Sequence, residues 1–360
     1  MSAPLQPQGY LQEVAWFEWQ KFCWTTATRS SIAIAVCLAA GLLSGHPGGG
    51  MVAAAGAFTA GMGSFQRIGR SCILPMFLAS IATPISTGIG MVLGHESIWF
   101  VFIAGLWALG YGLLAESAGG TSWVGQQCVI VLLVGSAFHV NAAAVLPRSL
   151  LMLAGGLLQT GITTAVIYFT PDRPGSFRPK TAPFLDPMLR QQIGSWHQCF
   201  SLRSSGCIFA FRQALTIGVA AEIYRRLNIP SGYWVAMTAL LVLKRDFRTT
   251  LVRGFARLAG TLLGAGISGV LARFLHLSPL TLSILVVIFA WTAISVTNVN
   301  YALYVLNLTA YIAFLLALNG LPPVQVIHRR ALCTALGGVL AIFAHLDVLR
   351  RTGHPPGRPE

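Results

Sequence analysis

The chain has 360 residues, of which 55% are hydrophobic and only 9% charged, and its mean hydropathy is +0.68. Soluble globular domains carry about 25% charged residues, so the composition excludes a soluble fold and describes a polytopic membrane protein. The formal net charge of +14 comes from 24 basic residues against 10 acidic ones. The basic residues are mostly arginines at the ends of apolar segments, not spread over one soluble face, which excludes nucleic acid as a partner. That placement fits orientation by positive cytoplasmic loops and contact with anionic headgroups.

The opening residues MSAPLQPQ have no basic n-region, so no cleavable signal peptide is expected. Residues 1–26 form a distinct N-terminal segment, in which GYLQEVAWFEWQKFCW over 9–24 mixes aromatic rings with Glu13, Glu18 and Lys21. This stretch is too polar to span a bilayer, and its rings predict an amphipathic helix lying at the interface.

A first membrane repeat is expected over 27–170, with apolar segments near 27–45, 50–64, 71–93, 98–115, 123–141 and 147–169. The second of these, MVAAAGAFTAGMG, is barely long enough to cross and follows Pro47 and three glycines. Residues 171–205 are proline-rich and basic, and predict a cytoplasmic linker. A second repeat is expected over 206–348, with segments near 206–224, 233–244, 255–274, 278–296, 301–319 and 329–348. Its second segment is again short and again comes after a Pro-x-Gly break, from Pro230 to Gly232. A basic tail over 349–360 closes the chain. The resulting fold class is all-α and integral to the membrane, with about twelve transmembrane helices in two parallel six-helix repeats. An even number of spans in each half returns the chain to its starting side. Both termini, the linker and the basic turns then share one side, which is cytoplasmic.

The two halves share a register. Arg29, Ile34, Pro47, Gly49, Val52, Ala53 and Arg70 stand 183 positions before Arg212, Ile217, Pro230, Gly232, Val235, Ala236 and Arg253. Arg148, Gly155 and Gly156 precede Arg330, Gly337 and Gly338 by 182. Proline, glycine and arginine are positions with backbone or charge duties, so their recurrence points to an internal repeat.

Several residues are candidates for a transport site. Arg29 and Arg212 open the first span of each half, where a guanidinium can grip a carboxylate with two parallel donors or simply anchor the helix on the positive side. A helix that starts late, at Gly232, offers backbone N–H groups to an anion. Tyr233 and Trp234 could stack on an aromatic ring or serve as interfacial anchors. Asn298, Asn300 and Tyr301 form a polar break that could line a cavity. The proton-coupling candidates are Glu222, Asp246 and Glu116. Glu222 could equally pair with Arg226 one turn on, and Asp246 is expected above all to hold its turn by pairing with Arg248 or Arg253. Lys244, Arg245, Arg248 and Arg253 make up a structural charge cluster around it. The seven cysteines show no ligand spacing and read as small buried residues, so neither a metal nor a cofactor is expected. There is no Gly-x-x-x-x-Gly-Lys-Ser/Thr motif and no Ser/His/Asp set, so the chain does not read as an enzyme.

The stretch YWVAMTALLVLKRDFRTTLVRGFARLAGTLLG, with VTNVNYALYVLNLTAYIAFLLAL after it, resembles the FUSC family, bacterial membrane proteins similar to fusaric acid resistance proteins and aromatic acid exporters. The resemblance covers about residues 206–345 and is weaker over the first half. Plant aluminium-activated malate channels are similar in overall plan. Many larger family members carry a big soluble domain between the halves, where this chain has only the linker. The resemblance implies a multi-pass protein of the bacterial inner membrane that exports small organic anions, aromatic carboxylic acids in particular, with proton coupling. A periplasmic adaptor and a homo-oligomer are the protein partners that such a role would involve, alongside the lipid bilayer and the anion. A passive organic-anion channel and a non-transporting scaffold or assembly subunit are the alternatives.

Overall fold

The computed structural model describes residues 10–115, 119–138, 140–169, 205–321 and 323–345. The predicted linker and tail therefore lie outside the described residues, apart from Ser205 at the linker's edge. Among the described residues every regular element is helical. The N-terminal segment gives a short helix α1 (Tyr10–Val14) and a 3-10 turn (Trp19–Lys21). Twelve longer helices come next: α2 (Trp24–Leu43), α3 (Pro47–Gly63), α4 (Ile73–Leu93), α5 (Ile98–Leu114), α6 (Gly119–Ser136), α7 (Ala142–Phe169), α8 (Ser205–Leu227), α9 (Tyr233–Val242), α10 (Phe247–Phe274), α11 (Pro279–Val296), α12 (Tyr301–Ala317) and α13 (Pro323–Phe343).

The single amphipathic helix expected over 9–24 is not formed. The chain breaks between α1 and the 3-10 turn because tertiary partners claim its backbone. The Asn300 side-chain amide donates to the carbonyls of Val14 and Trp16 at 2.8 and 2.9 Å, and the Glu18 amide donates to the Val299 carbonyl. Four of the segment's rings, Trp16, Phe17, Trp19 and Trp24, are exposed.

Most helix starts follow from local sequence. Ser97, Asp246, Ser278 and Asn300 each accept a hydrogen bond from a backbone amide in the first turn of α5, α10, α11 and α12, and Pro47 and Pro279 occupy first helical positions. Pro84 and Pro147 stand inside α4 and α7. By length and composition six helices can cross a membrane: α2, α4, α7, α8, α10 and α11. Helices α5, α9 and α12 are apolar but shorter. The outward faces of the long helices carry large exposed apolar side chains, including Ile32, Leu215, Leu262 and Ile288, as a surface bathed in acyl chains requires.

The main helix pairings correspond between the two sextets. Helix α3 packs on α2, α4 and α7, as α9 packs on α8, α10 and α13. Helix α4 packs on α6 and α7, as α10 packs on α12 and α13. Across the halves, α2 lies against α11 and α5 against α8, a pairing that is unchanged when the halves are exchanged. One core cluster is built from α2, α3, α11 and α12. The other draws on α5, α6, α8 and α9. The halves are thus interleaved through two shared cores. Backbone contact fixes two glycines at corresponding places. A Cβ on Gly155 would lie 1.9 Å from the Ala53 carbonyl oxygen, and one on Gly337 would lie 2.5 Å from that of Val235. Helices α7 and α13 can reach α3 and α9 this closely only without a side chain there.

Candidate functional site: the half-length helix and its cations

Helix α9 has 10 residues and is buried along almost its whole length. It extends about 15 Å, half of a hydrocarbon core about 30 Å thick. Its start is not the open anion cradle that the Pro-Gly break suggests. Asn228 and Ser231 adopt positive φ, and the amides of Gly232, Trp234 and Val235 donate to the carbonyls of Ile229, Ser231 and Gly232. The turn consumes those donors internally. Tyr233 and Trp234 are buried side by side, with ring centroids 4.9 Å apart, so they are core residues and not interfacial anchors.

At the other end of α9 the basic turn is tied together by His345, which is completely buried. Its Nε2 lies 3.0 Å from the Lys244 carbonyl oxygen, which can only accept, so Nε2 carries the proton. Its Nδ1 then accepts from the Arg212 guanidinium at 3.4 Å, and the Thr250 hydroxyl lies 3.1 Å from Nε2. Arg212 is thereby joined to the end of α13. Arg29 has different surroundings: it is half-buried on α2, and its Nε is buried with no hydrogen-bond partner.

The charge cluster is arranged differently from the expected clamp. Asp246 caps α10, accepting from the Thr249 amide at 2.8 Å and the Thr249 hydroxyl at 3.0 Å. These hydrogen bonds hold its carboxyl below the usual range. Arg248 pairs with Glu13 of the N-terminal segment at 3.3 Å, Arg245 lies over the Phe209 ring, and Arg253 lies over the Tyr301 ring at 5.0 Å. The turn is thus held by a cap and by contacts to neighbouring elements. Lys244 is half-buried by accessible surface but densely surrounded. Desolvation, with Arg253 adding to it, pulls its ammonium down to about 7.

The polar break at 298–301 splits into separate duties. Asn298 is exposed, while Asn300 is buried, caps α12 and grips the N-terminal segment. Tyr301 accepts a hydrogen bond from Arg257 at 3.3 Å. A cleft of about 270 Å³ opens here, lined by Glu13, Glu18, Arg253, Asn298 and Tyr301 among others. Glu222 is clamped by two arginines, with both of its oxygens on Arg225 at 2.8 Å and one also on Arg226. The paired reading of Glu222 therefore holds, and Arg225 is an added partner. Glu116 lies outside the described residues. Six of the seven cysteines are described, all as free thiols, and among the described residues no group of side chains could hold a metal ion.

Two residues were not among the site candidates read from the sequence, although Arg330 had marked the register of the repeat. Arg330 on α13 is 1% exposed, and its Nε, Nη1 and Nη2 are all buried without a hydrogen-bond partner. Its guanidinium carbon stands 4.1 Å from the centroid of the Trp234 ring. Arg257 on α10 is 2% exposed, its Nη1 donates to Tyr301, and its Nε has no partner. Arg257, Tyr233 and Tyr304 are the electrostatic neighbours of Arg330. Both stand at the starts of the predicted segments 255–274 and 329–348, where an arginine reads as an end anchor. Sequence could not say that both side chains turn inward.

An uncharacterized protein of Synechocystis is 29% identical over 154 residues, 42% of this chain and 20% of that protein. Uncharacterized protein YhfK of Escherichia coli is 30% identical over 141 residues, 39% of this chain and 20% of that protein. An uncharacterized protein of Neisseria gonorrhoeae is 28% identical over 134 residues, 37% of this chain and 31% of that protein. The matches thus span between a fifth and a third of the length of these relatives. No solved structure matches the chain. Residues 218–344, which hold α9, the basic turn, Arg257 and Arg330, match the model of the fusaric acid resistance protein-like family, the family that the motifs of this stretch resemble.

Proposed function

We propose that the protein carries small organic anions, aromatic carboxylates among them, across the bacterial inner membrane. In this reading α2 to α13 are twelve spans in two parallel repeats, with both termini cytoplasmic. The matching helix pairings of the two sextets and the exchange-symmetric contacts between them support the repeat. The single observation that carries the function is the positive interior of the matched half. Arg257 and Arg330 are buried there, and among the described residues neither has an ion-pair partner. An anion supplied from outside the chain would neutralise that charge, and α9, whose 10 residues cover about half of the hydrocarbon thickness, leaves room for passage.

A passive anion channel is the second reading, and one observation favours it. Of the carboxylates that could couple protons, the two described are engaged, Glu222 by two arginines and Asp246 by a helix cap. Flux of labelled benzoate in proteoliposomes separates the readings. Uptake driven by an imposed pH gradient at clamped voltage supports coupled export. Flux that tracks voltage alone supports the channel. No benzoate flux under either gradient, with folded protein, refutes transport of this class.

A further inference from the structure

The physics of a buried arginine restricts what Arg330 can be doing. A guanidinium presents five N–H donors around its edge and none on its faces. Stacking on Trp234 occupies a face and leaves the edge unspent, and all three nitrogens of that edge are buried and unpartnered. Arg257 adds a second buried cation whose Nε is likewise without a partner. A cation buried with neither a counter-charge nor full hydrogen bonding weakens a fold, and such a cost persists where a ligand relieves it. Edge donors in a fork are the groups that take a carboxylate with two parallel bonds.

We infer that Arg330 and Arg257 form a buried seat for one carboxylate group, with Trp234 fixing the Arg330 fork and Tyr301 and Tyr304 beside it. The ligand class is a small organic monocarboxylate, whose two oxygens match the Arg330 fork, and the Tyr301 hydroxyl beside the seat already meets Arg257. The seat belongs to the second half alone. At the corresponding first-half positions stand Leu74 for Arg257 and Met51 for Trp234. Arg148, the counterpart of Arg330, is only half-buried. The two repeats are therefore unequal: one binds and the other supports it. Binding at the seat stands without the transport reading, and only the subsequent movement of the anion rests on it.

The test is thermal unfolding of the full chain in phosphatidylcholine nanodiscs, with benzoate as the probe and benzylamine as the cationic control. The wild-type midpoint rises with benzoate and not with benzylamine. Arg330→Met loses the rise, while its midpoint without benzoate equals or exceeds that of the wild type, because an unpaired buried cation is gone. Arg330→Lys keeps the charge without the fork, and its benzoate affinity falls by roughly tenfold or more. Arg148→Met leaves the rise intact. A fall in the ligand-free midpoint of Arg330→Met with the rise retained makes Arg330 structural and overturns the seat. So does a wild-type midpoint indifferent to benzoate, and so does a rise produced by phosphatidylglycerol alone, which would assign the arginines to a lipid headgroup. The transport reading fails separately: benzoate binding without flux removes transport and leaves the seat, whereas flux unchanged in Arg330→Met removes the seat and leaves transport.

Discussion

Gly337 and Gly338 are neighbours on α13, yet the structure assigns them opposite responses to the same change. In Gly337→Ala the new Cβ would stand 2.5 Å from the Val235 carbonyl oxygen and 2.7 Å from Thr238 Cβ. Ordinary contact begins near 3.4 Å, so α13 must retreat from α9 by most of an ångström, or the backbone of α9 must shift. Overpacking of this kind costs about 1–3 kcal/mol. In Gly338→Ala the Cβ meets nothing within 4 Å. The only remaining term is then helix propensity, which favours alanine by about 0.5–1 kcal/mol. Midpoints of thermal unfolding in detergent, read by tryptophan fluorescence, should fall by several degrees for Gly337→Ala and stay level or rise for Gly338→Ala. The same pair distinguishes function from fold, because α13 carries Arg330 over Trp234 and a displaced α13 weakens benzoate binding in Gly337→Ala alone. Equal midpoints for the two variants would refute the close approach of α9 and α13.

Two further predictions concern the basic turn. The chain has three lysines, Lys21, Lys180 and Lys244, so amine labelling read by mass spectrometry resolves each one. With its ammonium lowered to about 7, Lys244 should react half-maximally near neutral pH, and Arg253→Gln should raise that midpoint by removing a neighbouring cation; labelling that begins only above pH 9 contradicts this. Asp246→Ala should cost about 1 kcal/mol at pH 7 through loss of the α10 cap, and Asp246→Asn far less, because asparagine caps nearly as well. The folded carboxyl is depressed, so its contribution is complete above the ordinary carboxylate range near 4 and is lost as pH falls through the lowered value. Wild type should therefore lose stability at acid pH relative to Asp246→Asn; parallel pH profiles for the two would count against the cap.

Helix positions were legible because apolar runs in a bilayer have one solution, the hydrogen-bonded helix. The predicted segment 71–93 and the helix Ile73–Leu93 differ by two residues at one end, and the short second segment of the second half emerged as the 10-residue α9. The N-terminal segment was not legible, because its break depends on Asn300, remote in sequence, claiming the carbonyls of Val14 and Trp16. The partners of the charged residues were lost for the same reason. Arg248 finds Glu13, and Arg212 finds His345, through contacts that no local spacing records. Burial of Trp234 also ran against its position after a Pro-Gly break, since α6 from the other half packs on α9. Among the candidates, Arg212, Asn300 and Asp246 proved to be engaged within the protein, and the least engaged donors belonged to residues whose inward rotation only the packed structure reveals.

The charged residues sort by what each costs. Lys21 with Glu18, Arg248 with Glu13, and Arg225 and Arg226 with Glu222 are paired at helix ends or in the N-terminal segment. There water and headgroups screen them, and exposed pairs are worth at most about 1 kcal/mol. Arg257 and Arg330 fit none of the ordinary uses of a membrane arginine. Positive-inside anchoring acts through loops and helix ends, whereas both stand within helices. Snorkelling requires the guanidinium to reach the surface, and these are 2% and 1% exposed. Pairing requires a carboxylate, and among the described residues neither has one. Cation–π contact with Trp234 recovers part of the cost for Arg330, about 2 kcal/mol when desolvated, but through the face of the guanidinium and not its edge. What remains, among the described residues, is a pair of buried cations with unspent donors that an anion from outside the chain would complete, and that remainder is the physical argument for a seat in the second half.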